Sequence, residues 1–116
     1  MIAANGGTYL EKLRQRRAEI DTTLRYLDRE RRDVEQNTEW IDLAAYQSRL
    51  SLLDRLISWY GTEIEQIDRA LSRVKQSRYG LCLACHEPIE AERLEISPEA
   101  EFCFECQEYR ERLETG

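Results

Sequence analysis

Every cysteine of this 116-residue chain lies in one stretch: Cys82-x-x-Cys85, seventeen intervening residues, then Cys103-x-x-Cys106. A Cys-x-x-Cys turn brings two thiolates within reach of one ion, and two such turns complete a tetrahedral S₄ shell. One structural Zn²⁺ held by Cys82, Cys85, Cys103 and Cys106 is therefore the expectation. Two other readings compete. Disulfides need an oxidising compartment, whereas Met1-Ile2-Ala3-Ala4-Asn5-Gly6-Gly7 has neither the basic start nor the apolar run of an export signal, so a cytoplasmic location is expected. A thioredoxin-like pair would need strand and helix alternation around Cys82 or Cys103, and none is visible. Four thiolates leave no open coordination position for water or substrate, so the site is not expected to be catalytic and the protein is not expected to be an enzyme.

The elements that position the quartet are written in the hydrophobic spacing. Leu10, Leu13, Arg17, Ile20, Leu24, Leu27, Arg31 and Val34 recur in alternating steps of three and four, which predicts a first helix over about residues 8–37. Thr8 and Glu11 have the spacing of a capping box at its start. A second stripe, Leu43, Tyr46, Leu50, Leu53, Ile57, Tyr60, Ile64, Ile67, Leu71 and Val74, has no polar interruption. Two long helices joined by a short break bury such stripes by folding back on one another. The expected fold is mainly α: a long antiparallel coiled-coil hairpin joined to a small Cys₄ zinc finger with a short C-terminal helix. The expected division is residues 1–7 as a flexible N-terminus, 8–78 as the hairpin with its tip near 38–44, and 79–116 as the zinc-finger module and C-terminal helix.

Several positions carry finer expectations. Leu52, Leu56 and Trp59 widen the apolar face of the second helix and are expected to pack against the rest of the chain. Gly61 is expected to lie inside a continuous helix, because Tyr60, Ile64 and Ile67 keep their phase across it. Leu71 and Val74 should dock on the zinc module. Gly80 suits a left-handed position closing the second helix, and His86 suits a left-handed position in the first knuckle rather than a ligand role. After Cys106, Tyr109 and Leu113 share one face of a short closing helix.

Charge narrows the partner. Residues 81–116 carry three Lys/Arg against ten Asp/Glu, while residues 1–36 carry eight against seven and residues 37–80 six against six. The net charge of −6 thus belongs to the finger, which would repel phosphates, so no direct DNA binding is expected and a protein partner is. No apolar run is long enough for a bilayer.

The finger resembles a known family. Tyr79-Gly80-x-Cys82-x-x-Cys85, then Ile89, Arg93-Leu94-Glu95, Pro98 and Cys103-x-x-Cys106-Gln107, is similar to the zinc-finger signature of the DksA/TraR family of bacterial transcription regulators. The resemblance implies a monomeric regulator that binds RNA polymerase, inserting its coiled-coil tip into the secondary channel. The family's tip motif, Asp-x-x-Asp-x-Ala, maps onto Glu39-Trp40-Ile41-Asp42-Leu43-Ala44 if Glu39 stands for the first aspartate. Asp42 then becomes the main tip carboxylate, Ala44 its small neighbour and Glu39 its partner, although Asp42 equally suits a plain helix cap. Trp40 and Ile41, large and apolar at a turn, suggest a contact surface. The chain departs from the family in having His86 where glycine is usual and in lacking the tip proline. Longer members respond to ppGpp through basic residues near the finger end of the second helix and in the C-terminal helix. Here Glu63, Glu65, Glu108 and Glu111 stand in those regions, implying action without ppGpp. Outside the family, a zinc-thiol redox sensor or a coiled-coil protein-interaction adaptor would also fit these residues.

Overall fold

The computed structural model describes residues 6–37 and 42–115, in four helices: α1 (Gly6–Gln36), α2 (Leu43–Lys75), α3 (Ala91–Ile96) and α4 (Phe104–Thr115). Among the described residues there is no β-strand, only an isolated antiparallel bridge between Leu81 and Pro88. The expected mainly α fold, with a long helical hairpin and a four-cysteine cluster, is what the structure has. Glu39, Trp40 and Ile41 lie outside the described residues.

The chain divides into two compact units: residues 16–65, and residues 1–15 together with 66–116. In the first, Ile20, Leu27 and Val34 of α1 are buried at intervals of seven, and Leu53 of α2 is buried with half-exposed Tyr46 and Tyr60 one heptad to either side. Leu27, Val34 and Leu53 form a cluster against which Tyr46, Leu50, Leu56, Ile57 and Tyr60 pack. This is the seven-residue repeat of a coiled-coil seam. Ion pairs fix the direction of the helices: Arg16 pairs with Glu63, Glu30 with Arg49 and Arg31 with Asp54, so α2 descends as α1 climbs. Arg31, one of the two polar residues in the first stripe, is satisfied there by Asp54 and by Glu35 one turn along.

Three expectations for the two long helices need correction. Leu43 is 69 % exposed, so the buried seam does not reach the first residue of α2. Leu52 and Trp59 are exposed as well, and only Leu56 of that widened stripe joins the core. Two paired helices bury a narrow strip of each, and residues a further third of a turn away face solvent. The first helix also starts at Gly6, so Thr8 lies inside it rather than at its cap. Gly61 sits within an unbroken α2, as its phase requires.

In the second unit Tyr9, Leu13, Ile67, Ala70, Tyr79, Cys82, Ile89, Leu94 and Cys103 are buried. The rings of Tyr9 and Tyr79 meet at 5.6 Å between centroids, and the Tyr79 hydroxyl donates to the Pro98 carbonyl at 2.8 Å. Burial, above all, pushes the Tyr79 phenol far above its usual range, so it stays a donor. Tyr9 donates to Glu95 Oε1 at 3.1 Å and Lys12 Nζ donates to Glu95 Oε2 at 2.8 Å. Arg69 and Arg73 of α2 both pair with Glu101, and Arg73, itself buried, also donates to the Ala100 carbonyl. Leu71 and Val74, expected to make this junction, are half-buried, and Arg69 and Arg73 of the same stretch of α2 add the polar bonds to Glu101 and Ala100.

The end of α2 differs from expectation in which residue turns left-handed. The helix stops at Lys75; Ser77 has φ 58°, with Ser77 N–H donating to the Val74 carbonyl and Arg78 N–H to the Arg73 carbonyl. That pair of bonds is a Schellman motif with serine at the position glycine usually takes, at a cost of about 1–2 kcal/mol. Gly80, at φ 85°, is left-handed too, but it opens the finger: its carbonyl accepts from Ile89 N–H at 2.8 Å.

Candidate functional site

The finger is built by backbone bonds that leave thiols facing one point. Between Gly80 and Ile89 the chain doubles back, with Cys82 N–H donating to the Glu87 carbonyl at 2.8 Å and His86 N–H to the Cys82 carbonyl at 2.9 Å. The reversal needs a left-handed residue, and His86 supplies it at φ 64°. Leu83 N–H donates to the Glu101 carbonyl at 2.9 Å, tying this first knuckle to the chain just ahead of Cys103.

Cys103 is the residue before α4, and its sulfur accepts from Cys106 N–H at 3.5 Å, acting as the helix's N-cap. Phe104 N–H, another donor of that first turn, is taken by Glu90 Oε1 at 3.0 Å. Glu90 precedes α3 but makes no side-chain cap bond there, so its carboxylate serves the next helix. Arg93 Nε, donating to the Phe102 carbonyl at 2.9 Å, holds the approach to Cys103.

The four sulfurs lie within 4.8 Å of one another. Cys85 Sγ and Cys103 Sγ are 3.9 Å apart. A disulfide would require about 2.05 Å, whereas a tetrahedron with Zn–S bonds of about 2.3 Å has edges of about 3.8 Å. The spacing is that of a metal shell. The donor set fits a cation chemically as well. Burial raises the Cys82 thiol, but amide donors led by Cys85 N–H outweigh it and bring the thiol below its ordinary value. Cys106 is pushed up, first by its hydrogen bond with Cys103 and then by burial. Four crowded sulfurs cannot all ionise without a positive charge among them, and a divalent cation supplies it. The environment of the thiols is otherwise uneven: Cys82 and Cys103 are buried, Cys106 is half-exposed and Cys85 is exposed.

A second candidate position stands at the start of α2. Asp42 Oδ1 accepts from Ala45 N–H at 3.0 Å and the Asp42 carbonyl accepts from Tyr46 N–H at 3.0 Å. Asp42 is thus an N-cap, with its carboxylate exposed beside exposed Leu43 and Ala44. Capping employs one carboxylate oxygen, which takes one of the unpaired amide donors of the helix's first turn.

A third feature is a polar cleft of about 320 Å³ among α2, α3 and α4, whose lining includes Gln66, Glu99, Glu101, Gln107, Arg110 and Glu114. The Arg110 guanidinium sits over the Phe102 ring, 4.3 Å from its centroid. Among the described residues no helix is long and apolar enough to cross a membrane.

Comparison with known proteins gives these features a context. The model of the prokaryotic dksA/traR C4-type zinc finger matches residues 77–112. The chain is 30% identical over 105 residues to the RNA polymerase-binding transcription factor DksA of Escherichia coli K12, covering 88% of this chain and 68% of that protein. Transcription factor DksA2 from Pseudomonas aeruginosa superposes with a TM-score of 0.84 at 29% identity, over 96% of this chain and 86% of that one. The solution structure of the DnaK suppressor protein from Agrobacterium tumefaciens matches with a TM-score of 0.55 at 30% identity, over 90% of this chain and 93% of the other. With four thiols so placed and a C4-type finger matched to them, the site is that of one structural Zn²⁺.

Proposed function

The chain belongs to the DksA/TraR family of C4-type zinc-finger proteins, and from that premise we propose that it is a non-enzymatic, cytoplasmic regulator that binds bacterial RNA polymerase as a monomer. In this reading Cys82, Cys85, Cys103 and Cys106 hold the zinc that fixes the module of residues 79–116. The hairpin of residues 8–78 carries its tip, Glu39 to Ala44, into the secondary channel. Asp42 is the working carboxylate, Glu39 its partner, Ala44 the small neighbour that leaves it accessible, and Trp40 and Ile41 apolar contacts with the polymerase.

The observation that carries this reading is the Asp42 cap. An exposed carboxylate pinned by the Ala45 N–H keeps a fixed pose, so it meets the catalytic region of the polymerase without first being ordered. The hypothesis is that its charge perturbs that region and changes the lifetime of initiation complexes. DNA is not expected to be a direct ligand, given the acidity of residues 81–116. The lining of the cleft among α2, α3 and α4 supports action without ppGpp: three glutamates stand there, while Arg93 is engaged by the Phe102 carbonyl and Arg110 by the Phe102 ring.

The test is co-purification with RNA polymerase followed by single-round transcription with Asp42→Asn, with and without ppGpp. Asparagine caps a helix about as well as aspartate, so the variant removes charge and keeps the fold. The expected result is retained polymerase binding, lost regulation and no response to ppGpp. Absence of polymerase binding by the unaltered chain overturns the whole reading; full activity of Asp42→Asn removes the tip carboxylate from it.

A further inference from the structure

Two of the most exposed apolar side chains among the described residues line the same cleft. Ile96, at the end of α3, is 78 % exposed, and Phe104, the first residue of α4, is 63 % exposed. With Glu90, Glu92, Arg93 and Ser97 they line a cleft of about 460 Å³, room for one or two large side chains. Single exposed apolar residues need no explanation, but two converging on one concavity do.

The periodicity of α3 accounts for half of this. Leu94 is fully buried, so Ile96, two residues and about 200° further round, must face outward. The other half is held in place by polar bonds. Glu90 Oε1 accepts from Phe104 N–H and Arg93 Nε donates to the Phe102 carbonyl, so both walls are pinned and the cleft is preformed.

Its charge selects the visitor. Two carboxylates and one guanidinium line the cleft, in a segment with ten Asp/Glu against three Lys/Arg. Among the described residues Lys12, Arg69 and Arg73 pair with Glu95 and Glu101 rather than with Glu90 or Glu92. An anionic visitor, phosphate-bearing ones included, would be repelled. A small-molecule pocket encloses most of its ligand, whereas these apolar walls stand mainly in solvent, the arrangement that suits a side chain protruding from another protein.

We propose that the cleft between α3 and the start of α4 receives a large aliphatic or aromatic side chain from a protein segment that carries lysine or arginine beside it. The site is independent of the tip, and the inference does not rest on the polymerase reading.

The probe is the peptide acetyl-Lys-Lys-Leu-Phe-Lys-Lys-amide, titrated into the zinc-loaded full chain and followed by NMR at the Ile96 methyl groups and the Phe104 amide. Two control peptides replace all lysines by glutamate or the Leu-Phe core by Ser-Gly. A saturable shift confined to the cleft is expected with the first peptide alone, weakening as salt rises. Ile96→Ser should weaken binding about tenfold, since it deletes the apolar wall. Glu92→Lys, at an exposed position that leaves the finger's bonds intact, should reverse the preference toward the glutamate-flanked peptide. The proposal is overturned by the absence of a saturable shift, by equal binding of the glutamate control to the unaltered chain, or by a Glu92→Lys variant that still prefers lysine.

Discussion

In residues 16–65 the buried side chains follow a heptad, whereas in the finger burial follows no period and the chain is shaped by thiols and by side chains reaching distant backbone. Ile20, Leu27 and Val34 are seven apart. In the finger, Tyr79 reaches Pro98, Glu90 reaches Phe104, Arg93 reaches Phe102 and Leu83 N–H reaches Glu101. The first unit is held by a repeated weak interaction that tolerates local loss. The second depends on a few bonds across long stretches of chain, and its metal should be indispensable.

Chelation should separate the two most sharply. A structural zinc of this kind contributes on the order of 10 kcal/mol to the order of its module. Stripping it with a strong chelator should abolish the near-ultraviolet signal of Tyr79 while much of the far-ultraviolet helical signal survives. Survival of the Tyr79 signal without metal would break the contrast.

Leu53→Ala reverses the emphasis. Removing a side chain that is 6 % exposed should cost about 2–4 kcal/mol, read as a lower denaturation midpoint. Amide exchange should quicken first within residues 43–65, and equal quickening in residues 80–107 would mean that the two units unfold as one. Gly61→Ala should act in the other direction. A Cβ at Gly61 meets nothing within 4 Å, so alanine should add about 0.5–1 kcal/mol in chemical denaturation; a loss of stability would mean that α2 needs the glycine.

The smallest effect concerns pH. Lys12 first, then the Tyr9 hydroxyl, hold Glu95 below the usual carboxylate range. Its contribution is therefore complete above the unfolded carboxylate value and is lost as pH falls through its lowered folded value. Thermal melts of the unaltered chain and Glu95→Gln should differ at pH 7 and converge as the pH falls below the ordinary carboxylate range. A difference that stays constant across that range would assign it to packing rather than charge.

This contrast also explains what the sequence made legible. The cysteine spacing and the two stripes are local and periodic, and so are the left-handed turn at His86 and the continuity of α2 through Gly61. Tyr9 was not legible as a core residue, because it sits one position before Leu10 and owes its burial to Tyr79, far along the chain. Arg73 gave no sign of burial, since its partners Ala100 and Glu101 come from the finger. Ser77 took the left-handed position expected of Gly80, which the finger needed for its own turn. Glu90's bond to Phe104 and the cleft beside it likewise depend on contacts that spacing does not encode.

The central claim is that the end of the hairpin bearing Asp42 meets the catalytic region of RNA polymerase. A photocrosslinker at Leu43, exposed and adjacent to Asp42, tests it most directly with zinc-loaded protein and polymerase holoenzyme. Crosslinks to polymerase segments lining the secondary channel and its catalytic centre are expected, with Asp42→Asn retaining them. Crosslinks from Leu43 only to outer polymerase surfaces, or none from a chain that otherwise binds, would contradict the account.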